Sequence, residues 1–134
     1  MLKIFITASF VEGKRNKNYI EKLCSLVKEA GFEDFCFVRD VEGYKQIFTD
    51  PHSLMRRARK EIEKSDLLLI DMTDKPTGRA IEAGIAYALN KKIIVIMKKG
   101  IKIKETSKGI AYKIIEYNTL SEILETLKEL AKTG

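Results

Sequence analysis

Glu82 is the one carboxylate in a run of small residues, Gly78-Arg79-Ala80-Ile81-Glu82-Ala83-Gly84-Ile85-Ala86. A continuous apolar stretch, Leu67-Leu68-Leu69-Ile70, precedes it and reads as a strand covered on both faces. Asp74, Lys75 and Pro76 break that strand, and Gly78 opens a helix. In an open α/β sheet, ligands sit beyond the carboxyl ends of the strands. A carboxylate about one turn into a helix that begins there is placed to reach that crevice, and the backbone N–H groups of the helix start favour its ionised form. The many small residues let the helix backbone lie close against a neighbour. A Glu near a helix start is also common for the dipole alone, so residue type by itself leaves both readings open.

Other chemistries find less support. His52, the single histidine, falls in the first turn of a helix, where an exposed side chain is the ordinary case, and a His-based triad is not expected. No cluster of His, Cys, Asp and Glu has metal-ligand spacing. Cys24 and Cys36 lie in apolar stretches and read as reduced core thiols. The first loop lacks both the dinucleotide glycine pattern and the phosphate-loop lysine motif. The first strand ends in Thr7-Ala8-Ser9, without the acidic pair of a phospho-receiver. No cofactor and no metal is implied.

The elements that must position Glu82 follow from periodicity. Residues 3–7 alternate as a strand, and 8–16 form a polar loop. Ile20, Leu23, Cys24, Val27 and Ala30 make a helical stripe, stopped by Gly31. Residues 35–38 read as a second strand, and 39–49 as a long loop carrying Tyr44 and Phe48. Asp50-Pro51 is a helix start, and Leu54, Met55, Ala58 and Ile62 mark that helix's buried face. After the Glu82 helix, ending near Asn90, come a strand at 93–97, a basic loop at 98–108 and a strand at 112–117. Thr119-Leu120-Ser121-Glu122 reads as a capping box that opens a last amphipathic helix. Strands alternating with helices predict a parallel sheet with helices on both faces, in a single domain over 1–134.

At 134 residues, 45% hydrophobic and 33% charged, the chain has the composition of a globular protein with one core. No apolar run is long enough to span a bilayer, and Met1-Leu2-Lys3-Ile4-Phe5 leads into a strand and not a signal peptide, so a cytoplasmic protein is expected. A net charge of +6 favours anionic partners. The lysines are scattered and no aromatic residues interleave with a basic stripe, which favours a phosphorylated small molecule over nucleic acid.

Ser65-Asp66 with the buried strand, then Thr77-Gly78-Arg79-Ala80-Ile81-Glu82-Ala83-Gly84-Ile85-Ala86 and Asn90-Lys91-Lys92-Ile93-Ile94-Val95-Ile96, resembles the nucleoside 2-deoxyribosyltransferase family. The first loop, Ala8-Ser9-Phe10-Val11-Glu12-Gly13-Lys14-Arg15, is most similar to its hydrolase branch, the 2'-deoxynucleoside 5'-phosphate N-hydrolases. The resemblance implies a flavodoxin-like (Rossmann-like) three-layer αβα sandwich with a five-stranded parallel sheet. It implies that Glu82 attacks the anomeric carbon of a deoxyribosyl group, with water resolving the glycosyl-enzyme intermediate. Cleaving an N-glycosidic bond builds positive charge on the sugar, which an anionic oxygen both stabilises and captures. Ser9 matches a family serine that holds the 5'-phosphate, with Gly13, Lys14 and Arg15 as further candidates. Tyr44 and Phe48 are candidates to stack on the base, and Thr77 and Gly78 join the substrate-binding set. Thr106 and Ser107 fall near a family serine donated across a subunit interface, which implies a homodimer with shared sites.

The chain departs from the family pattern at three positions. Ala58 stands where the family has an aspartate that holds the sugar and orients the nucleophile. Val11 stands at a first-loop arginine, and Pro76 at a Ser or Asp six residues before the nucleophile. Glu61 is a candidate substitute for the first, and Asp71 or Asp74 for the last. Two alternatives therefore stand beside the N-hydrolase reading: a nucleoside 2-deoxyribosyltransferase, and a non-catalytic nucleotide-binding sensor.

Overall fold

The computed structural model describes residues 1–9 and 16–133. Its elements in chain order are β1 (Lys3–Thr7), α1 (Lys17–Glu29), β2 (Glu33–Cys36), α2 (Phe37–Asp40), α3 (Pro51–Glu63), β3 (Leu67–Asp71), α4 (Gly78–Ala88), β4 (Lys92–Lys98), α5 (Glu105–Ile110), β5 (Ala111–Tyr117), a 3₁₀ turn (Leu120–Ile123) and α6 (Leu124–Thr133). The strands form one five-stranded sheet in the order β2-β1-β3-β4-β5. Every pairing is parallel. This is the flavodoxin-like order, in which the chain reverses direction across the sheet between β1 and β3.

Strand alternation sorts the core into two layers. Ile4, Ile6, Leu67, Leu69, Ile94 and Ile96 face one side, where α1, the 3₁₀ turn and α6 bring Ile20, Leu23, Val27, Ile123 and Leu127. Phe5, Leu68, Ile70, Ile93 and Val95 face the other, where α3 and α4 bring Ala58, Ile62, Ala83 and Ala86. Each fully buried aliphatic or aromatic side chain contributes roughly 1.5–3 kcal/mol of transfer free energy, so each layer is driven by its own apolar face. Cys24 and Cys36 are buried free thiols of the first layer. Gly31 ends α1 at φ 106°, and Asp50 caps α3 by accepting from the His52 N–H at 3.2 Å. His52 itself is exposed.

The structure departs from expectation in short segments. The second strand is Glu33–Cys36, not 35–38, and the expected loop begins with the single helical turn α2. Asp40 stops the strand by accepting from the Cys36 N–H at 2.9 Å, and Arg39 bridges Asp40 and Asp34. Such local side-chain bonds carry no hydrophobic period. The expected basic loop at 98–108 contains α5, which has no buried residue and so no apolar stripe to announce it. The Thr119–Glu122 capping box is half made. Glu122 accepts from the Asn118 N–H at 2.8 Å, but the Thr119 side chain caps no backbone N–H, and the first turn is 3₁₀.

Candidate active site

The crevice lies where the strand order reverses. Thr7 ends β1 in the same alternation as Phe5, so its side chain faces α4. Glu82, one turn into α4, meets it there. Thr7 Oγ1 donates to Glu82 Oε1 at 2.5 Å. Glu82 is half-buried as a residue, but its carboxyl group lies deep, against a threonine only 2% exposed. Burial pushes the Glu82 carboxyl above its ordinary value, and the charge of Glu42 adds to the rise; the Thr7 hydroxyl and the Arg79 guanidinium pull it back.

Glu82 lines a cleft of about 550 Å³, within the range of small-molecule sites. Phe37, Val38, Tyr44, Leu54 and Met55 give this cleft an apolar and aromatic wall, and Ser9, Glu42, Gly78 and Arg79 give it polar edges. Ser9 and Arg79 also border a second cavity of about 310 Å³, with Asn16, Asp71 and Lys98. Arg79 stands between the two. Its Nη1 donates to the Asp71 carbonyl at 3.1 Å, and its Nη2 to both Asp74 carboxylate oxygens at 2.7 Å. Among the described residues, its buried Nε–H has no acceptor.

The loop after α2 builds the wall opposite α4. Glu42 N–H donates to the Phe37 carbonyl at 3.1 Å, and Tyr44 N–H to the Val38 carbonyl at 2.8 Å. Gly43 and Tyr44 both take left-handed backbone, at φ 59° and 61°. For tyrosine that conformation is strained, and such strain concentrates at functional sites. The Tyr44 hydroxyl donates to Glu21 of α1, so the loop is tied down on both sides.

The structure thus brings Ser9, Tyr44, Gly78 and Glu82 of the expected set into one cleft. Phe48 lies behind the wall, stacked on Phe37 with ring centroids 6.0 Å apart. Thr77 precedes α4, exposed and outside the cleft lining. Asp71 faces the opposite layer, because it alternates with Leu67 and Leu69. There Asp71 accepts from the Tyr19 and Tyr117 hydroxyls and, at 2.9 Å, from the Thr73 N–H. Thr106 and Ser107, on α5, line neither cavity. Gly13, Lys14 and Arg15 lie outside the described residues. Ala58 is 1% exposed in the core, and Glu61 is held by Arg57 at 2.8 Å and lines neither cavity.

Thr7, Arg79 and Glu42 escaped the sequence reading, as did the apolar wall of Phe37, Val38, Leu54 and Met55. Thr7 carried a usable signal, as a polar residue ending an apolar strand on its inward side. Arg79 sat inside the Glu82 motif. Glu42 carried none, since only the folded loop brings it opposite α4. Among the described residues no group of three or more His, Cys, Asp and Glu is placed to hold a metal ion. None of their helices is long and apolar enough to cross a membrane.

Comparison with known proteins agrees with this architecture. The CMP N-glycosidase BcmB of Clostridium botulinum superimposes with a TM-score of 0.71 at 23% identity, over 96% of this chain and 98% of that one. A 2-deoxyribosyltransferase of Bacillus psychrosaccharolyticus gives 0.69 at 18% identity, over 93% and 95%. A conserved protein of Enterococcus faecalis gives 0.72 at 14% identity, over 97% and 99%. At these identities the likeness is one of fold. No curated protein matches by sequence. A profile of the nucleoside 2-deoxyribosyltransferase family matches residues 4–114, a span that holds the whole crevice and Glu82, and the chain belongs to that family.

Proposed function

We propose that the protein hydrolyses the N-glycosidic bond of 2'-deoxynucleoside 5'-monophosphates, releasing the free base and deoxyribose 5-phosphate, with Glu82 as nucleophile. Family membership supports an enzyme of the deoxyribosyltransferase and N-glycosidase type. The observation that carries the finer reading is the Glu82 carboxyl group, lining a cleft with an aromatic wall and hydrogen-bonded to the buried Thr7. In this reading the base lies against Phe37, Tyr44, Leu54 and Met55, which puts C1' over Glu82. One carboxylate oxygen attacks C1' as the C–N bond breaks, and water then opens the glycosyl ester. Thr7 holds the other oxygen away from proton transfer and keeps the attacking rotamer. Ser9 and the uncapped start of α4 at Gly78 supply donors toward the phosphate end, with Gly13, Lys14 and Arg15 assigned to the phosphate as well. Phosphate binding orients the sugar, which is worth several powers of ten in rate.

The same reading includes a homodimer. The outer face of α4 supports it, with Ile81 57% and Tyr87 53% exposed. Thr106 and Ser107, which line neither of the two cavities described above, would serve the partner's phosphate site.

The test is base release, read by chromatography, from a panel of deoxynucleosides, ribonucleosides and their 5'-monophosphates, with Glu82→Gln as control. Wild type should release base from deoxynucleoside monophosphates, and Glu82→Gln should lose at least ~10³-fold. Exchange only in the presence of a second base would make the protein a transferase. Binding without release would make it a sensor, the outcome that the buried Ala58 position favours.

A further inference from the structure

The cleft contains a second carboxylate that neither the family pattern nor the reaction described above uses. Glu42 stands in the loop opposite α4 and lines the same cavity as Glu82, among the apolar residues assigned to the base. Its position is rigid, because Glu42 N–H and Tyr44 N–H are bonded back to α2 and Lys45 N–H donates to the Glu42 carbonyl at 3.1 Å. Among the described residues, its carboxylate has neither a hydrogen bond nor an ion pair, unlike Glu82, which Thr7 holds. A half-buried acid without a partner in a ligand cleft is not explained by folding.

Resting on the N-glycosidase reading, we propose that Glu42 is the general acid that protonates the departing base, and the general base that activates water in the second step. Glu42 gives its proton to a ring nitrogen or carbonyl oxygen of the base. The C1'–N bond pair moves to the base nitrogen, and a Glu82 oxygen forms the bond to C1'. Water then attacks C1' of the ester and passes its proton to the Glu42 carboxylate. The C1'–O bond pair returns to Glu82, and both residues regain their starting states.

Two carboxylates in one site take different protonation states when their surroundings differ. Burial pushes the Glu82 carboxyl up, and the charge of Glu42 adds to the rise, but Glu82 also has a hydroxyl donor and the nearby Arg79 cation, which act in the opposite direction. Glu42 has burial alone, which pushes its carboxyl up and favours the proton. The charged and titratable groups around it in the cleft are Glu82 and Arg79 of α4, and Tyr44 and Lys45 of its own loop. The pair titrates as a unit, and the proposed roles require the form with Glu82 ionised and Glu42 protonated. This division of roles supplies from the loop after α2 a carboxylate that α3 lacks at Ala58.

A leaving group that needs no proton tests the assignment. The substrate is the best nucleotide of the panel, against its N7-methyl purine or N3-methyl cytosine counterpart, whose base carries a positive charge and departs unaided. Single-turnover base release, with enzyme in excess, reads the first step alone. Glu42→Gln should lose about 10²–10⁴-fold on the ordinary nucleotide and stay within tenfold of wild type on the methylated one. At pH values where the methylated base keeps its positive charge, wild type should show an alkaline limb in its pH–rate profile with the ordinary nucleotide and none with the methylated one, a readout that needs no variant. An ordinary-substrate loss below threefold, an equal loss on both substrates, or an alkaline limb shared by both while the methylated base is still cationic overturns the role of Glu42 while the enzyme reading stands. A wild type that releases no base from any nucleotide overturns the enzyme reading, and this inference with it.

Discussion

Thr7 gives the most direct handle on Glu82. Its hydroxyl is the one side-chain donor to that carboxylate among the described residues, and it opposes the upward push of burial. In the proposed reaction Glu82 attacks only when ionised, so the acidic limb of kcat/KM against pH should follow its pKa. Thr7→Val keeps the side-chain shape and deletes the donor. The pKa then rises further and the acidic limb moves to higher pH, while Thr7→Ser leaves the limb in place. A limb that Thr7→Val does not move would separate Glu82's ionisation from its neighbour. Glu82 was legible in the chain because a lone carboxylate among alanines and glycines, just after a buried strand, is a local pattern. Thr7 and Glu42 were not, because one depends on strand register and the other on the path of a loop.

Asp71 shows how an element joins the two sides of the sheet end. It terminates β3, and it gathers Tyr19 of α1 and Tyr117 of β5 onto one carboxylate. The tyrosine hydroxyls are raised in pKa by burial and by that charge, Tyr117 to about 12, so both remain protonated donors across the working pH range. Asp71→Ala would leave buried donors without an acceptor, at a cost of about 1–3 kcal/mol. The urea midpoint should fall accordingly, and an unchanged midpoint would show that the clamp holds nothing. The same alternation that sends Thr7 into the crevice sends Asp71 away from it. A two-residue period is visible in sequence; which face of the sheet meets the ligand is not.

For the molecule as a whole, the outer side of α4 exposes Ile81 and Tyr87, while its inner side carries Glu82. If a second copy covers that outer side, wild type runs as a dimer in light scattering, and Ile81→Asp, which places a charge beside Gly84 and Tyr87, runs as a monomer with unchanged circular dichroism. A monomeric wild type at micromolar concentration would remove the dimer from the proposed function. The net charge of +6 acts at this range too, and its pull on an anionic ligand such as the proposed nucleotide weakens as salt rises.

Apolar alternation and helical stripes are carried by residues near one another in the chain, so the succession of strands and helices could be read directly. The strong motif around Glu82 is likewise contiguous, and it sufficed for the family. Neighbour relations between strands are not contiguous. That β1 lies between β2 and β3, and that a crevice therefore opens above Thr7, emerges only when the sheet assembles. The facing of Glu42 and Glu82 is of the same kind, because two carboxylates come together there only after separate layers have buried their own apolar faces.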